Sequence, residues 1–194
     1  MTIPIPVKHL ITGGARSGKS TFALNQALGL APSGPVGFIA TAQAFDDDMA
    51  DRIRRHQGER DSRFITFEAP IDPGPALADP RPAVFIVDCL TLWCSNVLFS
   101  DAEARDGAIG HVLTRPPDRP HFEACVDRLL RQVMACDRPV LLVTNEVGLG
   151  IVPADVLSRT YRDWLGRLNQ RAAAACERVT LLISGIPVHI KGSV

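Results

Sequence analysis

The run Gly13-Gly14-Ala15-Arg16-Ser17-Gly18-Lys19-Ser20 constrains this chain more than any other. It fits the phosphate-binding pattern G-x-x-x-x-G-K-[ST]. Gly13 and Gly18 permit backbone angles that a Cβ would forbid, so successive N–H groups can point into one anion-sized hollow. Lys19 has the reach for the β- and γ-phosphates of a nucleoside triphosphate, and Ser20 offers a hydroxyl to Mg²⁺. The surroundings agree. Lys8-His9-Leu10-Ile11-Thr12 reads as a short strand, and Phe22, Ala23, Ala27 and Leu30 fall at helical spacing. The phosphates would sit on a helix N-terminus, where the dipole favours anions. The expected nucleotide-binding residues here are Gly13, Gly14, Ala15, Arg16, Ser17, Gly18, Lys19 and Ser20, with Lys19 also catalytic.

Six short apolar runs read as strands: His9–Thr12, Val36–Thr41, Phe64–Glu68, Val84–Val87, Val140–Thr144 and Val179–Ser184. Most are continuous rather than alternating, as when both faces of a sheet are covered. Helix-like segments lie between them, clearest over Ser20–Leu30, Asp46–Arg60, Phe122–Ala135 and Asp155–Cys176. This alternation predicts a doubly wound, mostly parallel sheet. Ala69–Pro82, with five prolines, and Ser100–Pro120, polar with Gly107, Gly110, Pro116, Pro117 and Pro120, read as loops. Neither is long enough for a second domain, so residues 1–194 are expected to form one.

Several classes of function are set aside by composition. Lys plus Arg number 21 and so do Asp plus Glu, which gives no basic excess for nucleic acid. No apolar run approaches the roughly 20 residues of a membrane-spanning helix. A P-loop stands where a signal peptide would be, so a cytoplasmic protein is expected. The five cysteines are odd in number and form no C-x-x-C, which reads as reduced, buried thiols. The histidines form no H-x-x-x-H pair for zinc.

Beyond the P-loop, Val84-Phe85-Ile86-Val87-Asp88 is an apolar strand ending in an acid. Beside a P-loop, such an Asp helps hold Mg²⁺; it also suits the cap of a helix beginning near Leu90. In Asp46–Arg60, Met49, Ile53 and His56 share a helical face, with Arg52 and Arg60 one turn either side of His56. Two guanidinium groups would hold a phosphate and keep His56 neutral and nucleophilic. A core histidine with a hydrogen-bond partner fits the same spacing. Glu68 closes a strand and could accept from ribose or base; an exposed strand-end acid reads the same way. Glu146, in Asn145-Glu146-Val147-Gly148-Leu149-Gly150-Ile151-Val152-Pro153, suits a general base, a partner of metal-bound water, or an anchor for its own turn.

At this point the chain resembles the bifunctional adenosylcobinamide kinase / adenosylcobinamide-phosphate guanylyltransferase family of cobalamin biosynthesis, from about Leu10 to Gly192. The blocks that carry the likeness are Ile39-Ala40-Thr41-Ala42; Arg52-Ile53-Arg54-Arg55-His56-Gln57-Gly58-Glu59-Arg60 with Glu68 beyond; and Asp88-Cys89-Leu90-Thr91-Leu92-Trp93. Thr144 to Pro153, Arg162-Asp163-Trp164-Leu165-Gly166-Arg167-Leu168-Asn169-Gln170 and Gly185-Ile186-Pro187 follow. The resemblance implies an α/β P-loop NTPase fold (RecA-like), with a mostly parallel central sheet and helices on both faces. It implies two reactions. ATP or GTP gives its γ-phosphoryl group to the aminopropanol hydroxyl of adenosylcobinamide. GTP then gives GMP to adenosylcobinamide phosphate through a covalent GMP–histidine, for which the matching residue is His56. It further implies nucleotide contacts from Ala40, Thr41, Ala42, Gln57, Gly58, Glu59, Arg60, Glu68 and Asp88, and Mg²⁺ held by Ser20 and Asp88. The family's enzymes can assemble as trimers, so a homotrimer is among the expectations. The alternatives are a monofunctional P-loop small-molecule kinase with a structural His56, or a non-enzymatic GTP-binding regulator. The chain lacks the [NT]-K-x-D base-reading motif that a GTP switch would carry. Ser100–Pro120 is longer and richer in proline than the family leads one to expect.

Overall fold

The computed structural model describes residues 7–43, 62–106 and 118–192, with 100–106 by backbone alone. Among the described residues seven strands form one sheet. They are β1 (Lys8–Gly13), β2 (Val36–Ala40), β3 (Phe64–Glu68), β4 (Val84–Asp88), β5 (Val140–Val143), β6 (Arg178–Ile183) and β7 (Ile186–Lys191), in the order β3-β2-β4-β5-β1-β6-β7. All neighbours run parallel except β6 and β7. Among the described residues five helices accompany them: α1 (Lys19–Leu30), α2 (Gly74–Leu77), α3 (Leu90–Asp106), α4 (Arg119–Ala135) and α5 (Val156–Ala175).

The described helices cover the two faces of the sheet unequally. Alternate residues of each central strand point to opposite sides. Ile11, Val36, Phe38, Val84, Ile86, Leu141 and Val143 pack with Ala23 and Ala27 of α1. Small alanines let α1 lie close to the sheet and bring its N-terminus to the end of β1. Leu10, Ile39, Phe85, Val87, Val140 and Leu142 pack on the other face under α2 to α5. There Phe122 of α4 stacks on Trp164 of α5, with ring centroids 4.5 Å apart. Burial of these side chains, at about 1.5–3 kcal/mol for each large one, is the main stabilising term.

Three sequence expectations need correction. Ser100–Pro120 is not a loop throughout. Residues 100–106 continue α3, because Asp101-Ala102-Glu103-Ala104-Arg105 is polar but made largely of good helix formers. Pro120 stands in the first turn of α4, where a missing N–H costs nothing. Ala69–Pro82 contains the single turn α2. The third correction is β7, which the apolar-run reading omits. Ser184 (φ 53°) and Gly185 (φ 83°) both take positive φ, as a two-residue hairpin turn demands. Pro187 is tolerated because β7 is an edge strand. The segment Asp46–Arg60 lies outside the described residues.

Candidate active site

The parallel order places the ends of β3, β2, β4, β5 and β1 along one edge of the sheet, and the P-loop leaves that edge from β1. Gly13 has φ 151°, and a Cβ there would lie 2.5 Å from the Leu182 carbonyl oxygen and 2.7 Å from Ser17 Oγ. Gly18, the N-cap of α1, has φ 93°, and Arg16 adopts a left-handed φ of 56°. The β6–β7 turn braces the loop from behind, with Gly185 N–H donating to Ser17 O at 3.0 Å. No acidic residue occupies the first turn of α1, so its N-terminus keeps its positive end for an anion.

Lys19 is buried and curls back on the loop. Its ammonium donates to Gly14 O at 2.6 Å and to Ser17 Oγ at 3.4 Å. Burial lowers its pKa from the ordinary lysine value, opposed by the nearby Asp88 carboxylate. Ser20 Oγ donates to Asp88 Oδ2 at 3.3 Å, which joins the start of α1 to the end of β4. A hydroxyl and a carboxylate meeting beside a phosphate cradle suit Mg²⁺. That ion takes hard oxygen ligands and is usually held by one or two protein groups plus substrate phosphates and water. No cluster of three His, Cys, Asp or Glu occurs among the described residues, so a self-contained protein cage for a metal is not seen there.

Thr41 clasps the ends of β2 and β4 together. It is fully buried. Its hydroxyl donates to Cys89 O and accepts from Cys89 N, each at 2.8 Å, and its own N–H donates to Asp88 O. Asn96 of α3 completes the clasp by donating to Thr41 O at 2.7 Å and to Pro70 O at 3.0 Å. Ala40 and Ala42 flank it at the same edge. Cys89 has its pKa pushed up to about 11 by burial and by Asp88, so it stays a thiol. Glu68 ends the outer strand β3, exposed, in register with Ala40.

Between Asp88 and the P-loop lies the segment that follows β5. Glu146 N–H donates to Gly13 O at 3.1 Å, tying it to the P-loop. The Glu146 carboxylate accepts from Gly148 N at 2.6 Å, which is the turn-anchoring arrangement. Asn145 N donates to Thr91 Oγ1 at 2.8 Å, and Tyr161 OH donates to Thr91 O at 3.1 Å. Asn169 accepts from Thr144 Oγ1 at 2.8 Å and donates to Asn145 O at 3.0 Å. Thr91 and Asn169 stand within the longer sequence blocks, which give no sign of this bracing role. Their signal was only that polar residues interrupt otherwise apolar helix faces. Nor does the sequence point to a cavity of about 280 Å³ on α5, lined by Arg119, Val156, Arg159, Thr160, Asp163, Trp164 and Arg167. His56, with Arg52, Gln57, Gly58, Glu59 and Arg60, lies outside the described residues.

Comparison with known proteins gives the family. A family model described as cobinamide kinase / cobinamide phosphate guanyltransferase matches residues 9–190. The chain belongs to this family. The bifunctional adenosylcobalamin biosynthesis protein CobP of Pseudomonas aeruginosa is 40% identical over 190 residues, covering 96% of this chain and 98% of its own. The proteins called CobU from Escherichia coli and Salmonella typhimurium are 39% and 40% identical, each covering 94% of this chain and 98% of theirs. As a cobinamide kinase / cobinamide phosphate guanyltransferase family member, the chain is a bifunctional transferase that binds nucleotide through its P-loop. No helix among its described residues is long and apolar enough to cross a membrane.

Proposed function

We propose that this enzyme carries out two transfers on one scaffold, in the cytoplasm. In the first, the aminopropanol hydroxyl oxygen of adenosylcobinamide attacks the γ-phosphorus of ATP or GTP. The O–P bond forms, the bond to the β-phosphate oxygen breaks, and the hydroxyl proton is released. In the second, a nitrogen of His56 attacks the α-phosphorus of GTP and pyrophosphate leaves. A phosphate oxygen of adenosylcobinamide phosphate then displaces His56, giving adenosyl-GDP-cobinamide. The covalent step divides one nucleotidyl transfer into two displacements.

What supports this reading above all is that Ser20 meets Asp88 of β4 directly beside the P-loop that carries the buried Lys19. Lys19 and the loop N–H groups hold the β- and γ-phosphates and stabilise charge on the leaving oxygen. Ser20 and Asp88 would hold Mg²⁺, whose charge neutralises the phosphates when it is bound. Ala40, Thr41, Ala42 and Glu68, with Gln57, Gly58, Glu59 and Arg60, contact GTP in this reading. Thr41 acts there through the clasp, since its hydroxyl is engaged by Cys89. The test is incubation with GTP labelled at the α-phosphate. The expected result is acid-labile, alkali-stable label on the protein, lost in His56→Ala, and adenosyl-GDP-cobinamide once adenosylcobinamide is supplied. A protein that phosphorylates adenosylcobinamide but never takes the label is a monofunctional kinase, and the second reaction is then wrong.

A further inference from the structure

The active edge carries one feature that nucleotide chemistry leaves unused. The segment between β5 and α5 holds Leu149, Ile151 and Val152 at 89%, 96% and 59% exposure, and Val156, the first residue of α5, at 69%. Scattered exposed apolar residues are ordinary, but several together mark a contact surface. The segment is held at both ends. Glu146 N–H bonds Gly13 O at its start, and at its exit Arg159 donates to Pro153 O at 2.9 Å and Ala154 O at 2.5 Å. Asp155 caps α5 by accepting from Ser158 N at 2.7 Å. Between these anchors the apolar side chains project into solvent as a preformed surface.

Its position names its occupant. In the strand order β4-β5-β1, the end of β5 lies between Asp88 and the P-loop. A group resting there lies beside the P-loop, to which the segment is tied by the Glu146 N–H to Gly13 O bond. The phosphates require cations, and no lysine or arginine lies between Asn145 and Asp155. The acceptor in the proposed reaction has the complementary character: a corrin is a broad, flat, largely apolar macrocycle, with its hydroxyl on a side arm. We infer that Leu149, Ile151, Val152 and Val156 form the platform on which the corrin ring of the acceptor rests, placing its arm at the γ-phosphate. This inference rests on the function proposed above and adds the residues that select a corrinoid.

The experiment uses the full-length protein with Leu149→Ser and Ile151→Ser combined, and Val152→Ser added in a second variant. All three side chains are exposed, so neither variant removes core packing. Four quantities are measured: KM for adenosylcobinamide, KM for GTP, label taken up from α-labelled GTP alone, and hydrodynamic size. The expected outcome is a rise in the adenosylcobinamide KM of about tenfold or more, a loss of about 1.4 kcal/mol of binding per factor of ten. The GTP KM, the label and the size stay at wild-type values. A variant with the wild-type adenosylcobinamide KM overturns the inference. So does a variant whose assembly falls apart, because the surface then belongs to a second copy of the chain. If the wild-type protein itself forms no product from adenosylcobinamide and GTP, it is the functional reading that fails.

Discussion

Two loops leave neighbouring strands of one sheet edge, and they are built in opposite ways. The P-loop after β1 turns its backbone inward. Gly13 and Gly18 hold φ of 151° and 93°, and Lys19 is buried against the loop's own carbonyl. The segment after β5 turns its side chains outward, with Leu149 and Ile151 almost fully in solvent. Both contain glycines, for different reasons. A Cβ at Gly13 would collide with Leu182 O, whereas a Cβ at Gly150 would meet nothing within 4 Å. A loop that grips phosphates is made from main-chain donors and tolerates few residues. A loop that supports a large apolar molecule is made from side chains, and at Gly150 it leaves room for one. The two should therefore fail separately: the first loses the nucleotide, the second the acceptor.

The largest effect expected from breaking that division comes from Lys19→Ala. Removing one preorganised donor to developing oxyanion charge costs on the order of a hundred- to a thousand-fold in rate. The kinase turnover should fall by that much, and labelling by α-labelled GTP should fall with it, since both use the same triphosphate cradle. Direct binding of adenosylcobinamide, followed by its visible absorbance, should be unchanged. Weakened corrinoid binding in this variant would mean that the two loops form one undivided site.

The strands beneath the loops differ as well, and acid should reveal it. Val140 to Val143 of β5 are all apolar and buried, while β1 carries a buried imidazole at His9. His9 Nε2 pairs with Thr180 Oγ1 at 2.8 Å, and the same oxygen meets His189 Nδ1 at 3.1 Å. Phe22 of α1 meets the His9 ring edge-on. Burial, helped by Arg178 and His189, lowers the His9 pKa from 6.5 to about 4. The folded state therefore favours the neutral ring. Its contribution is complete above pH 6.5 and is lost as pH falls toward 4, because the unfolded chain binds the proton first. The shift amounts to about 3 kcal/mol over that window. Unfolding in urea at pH 7 and pH 4.5 should show His9→Gln losing markedly less stability on acidification than the wild type. Equal losses would remove His9 from the account.

The parallel α/β core was readable because the strands are short, continuous apolar runs, and because Gly13 to Ser20 fixes what lies on either side of it. The boundaries of β3 match to the residue. What escaped was structure whose cause lies elsewhere in the chain. β7 is an edge strand stabilised by pairing with β6, and its proline argues against it in isolation. The helical continuation of α3 is hidden because polar helix formers resemble a loop when only apolar spacing is read. At the site, motif and strand end pointed to Lys19, Ser20 and Asp88, and the resemblance to Thr41 as a nucleotide contact, but nothing in the sequence pointed to the Thr41 clasp. In sequence Thr41 is one residue among Ala40-Thr41-Ala42. Only the approach of β2 to β4 shows its hydroxyl closing on Cys89, 48 residues away.

The smallest effect expected is the most discriminating between the two loops. Asn169 of α5 touches no exposed surface of the acceptor platform. It holds the base of that loop by accepting from Thr144 Oγ1 and donating to Asn145 O. Removing it in Asn169→Ala leaves a partly buried carbonyl and hydroxyl without this partner, at a cost of roughly 1–3 kcal/mol in stability. If the platform acts only as a preformed surface, loosening its base should raise the adenosylcobinamide KM a few-fold. Labelling by GTP alone should not change, because the P-loop is braced independently by the Gly185–Ser17 bond. Measuring both at a temperature well below the variant's melting point separates the two contributions. Were the label to fall in step with the corrinoid KM rise, the bond from Glu146 to Gly13 would be transmitting the disturbance, and the two loops would be mechanically one.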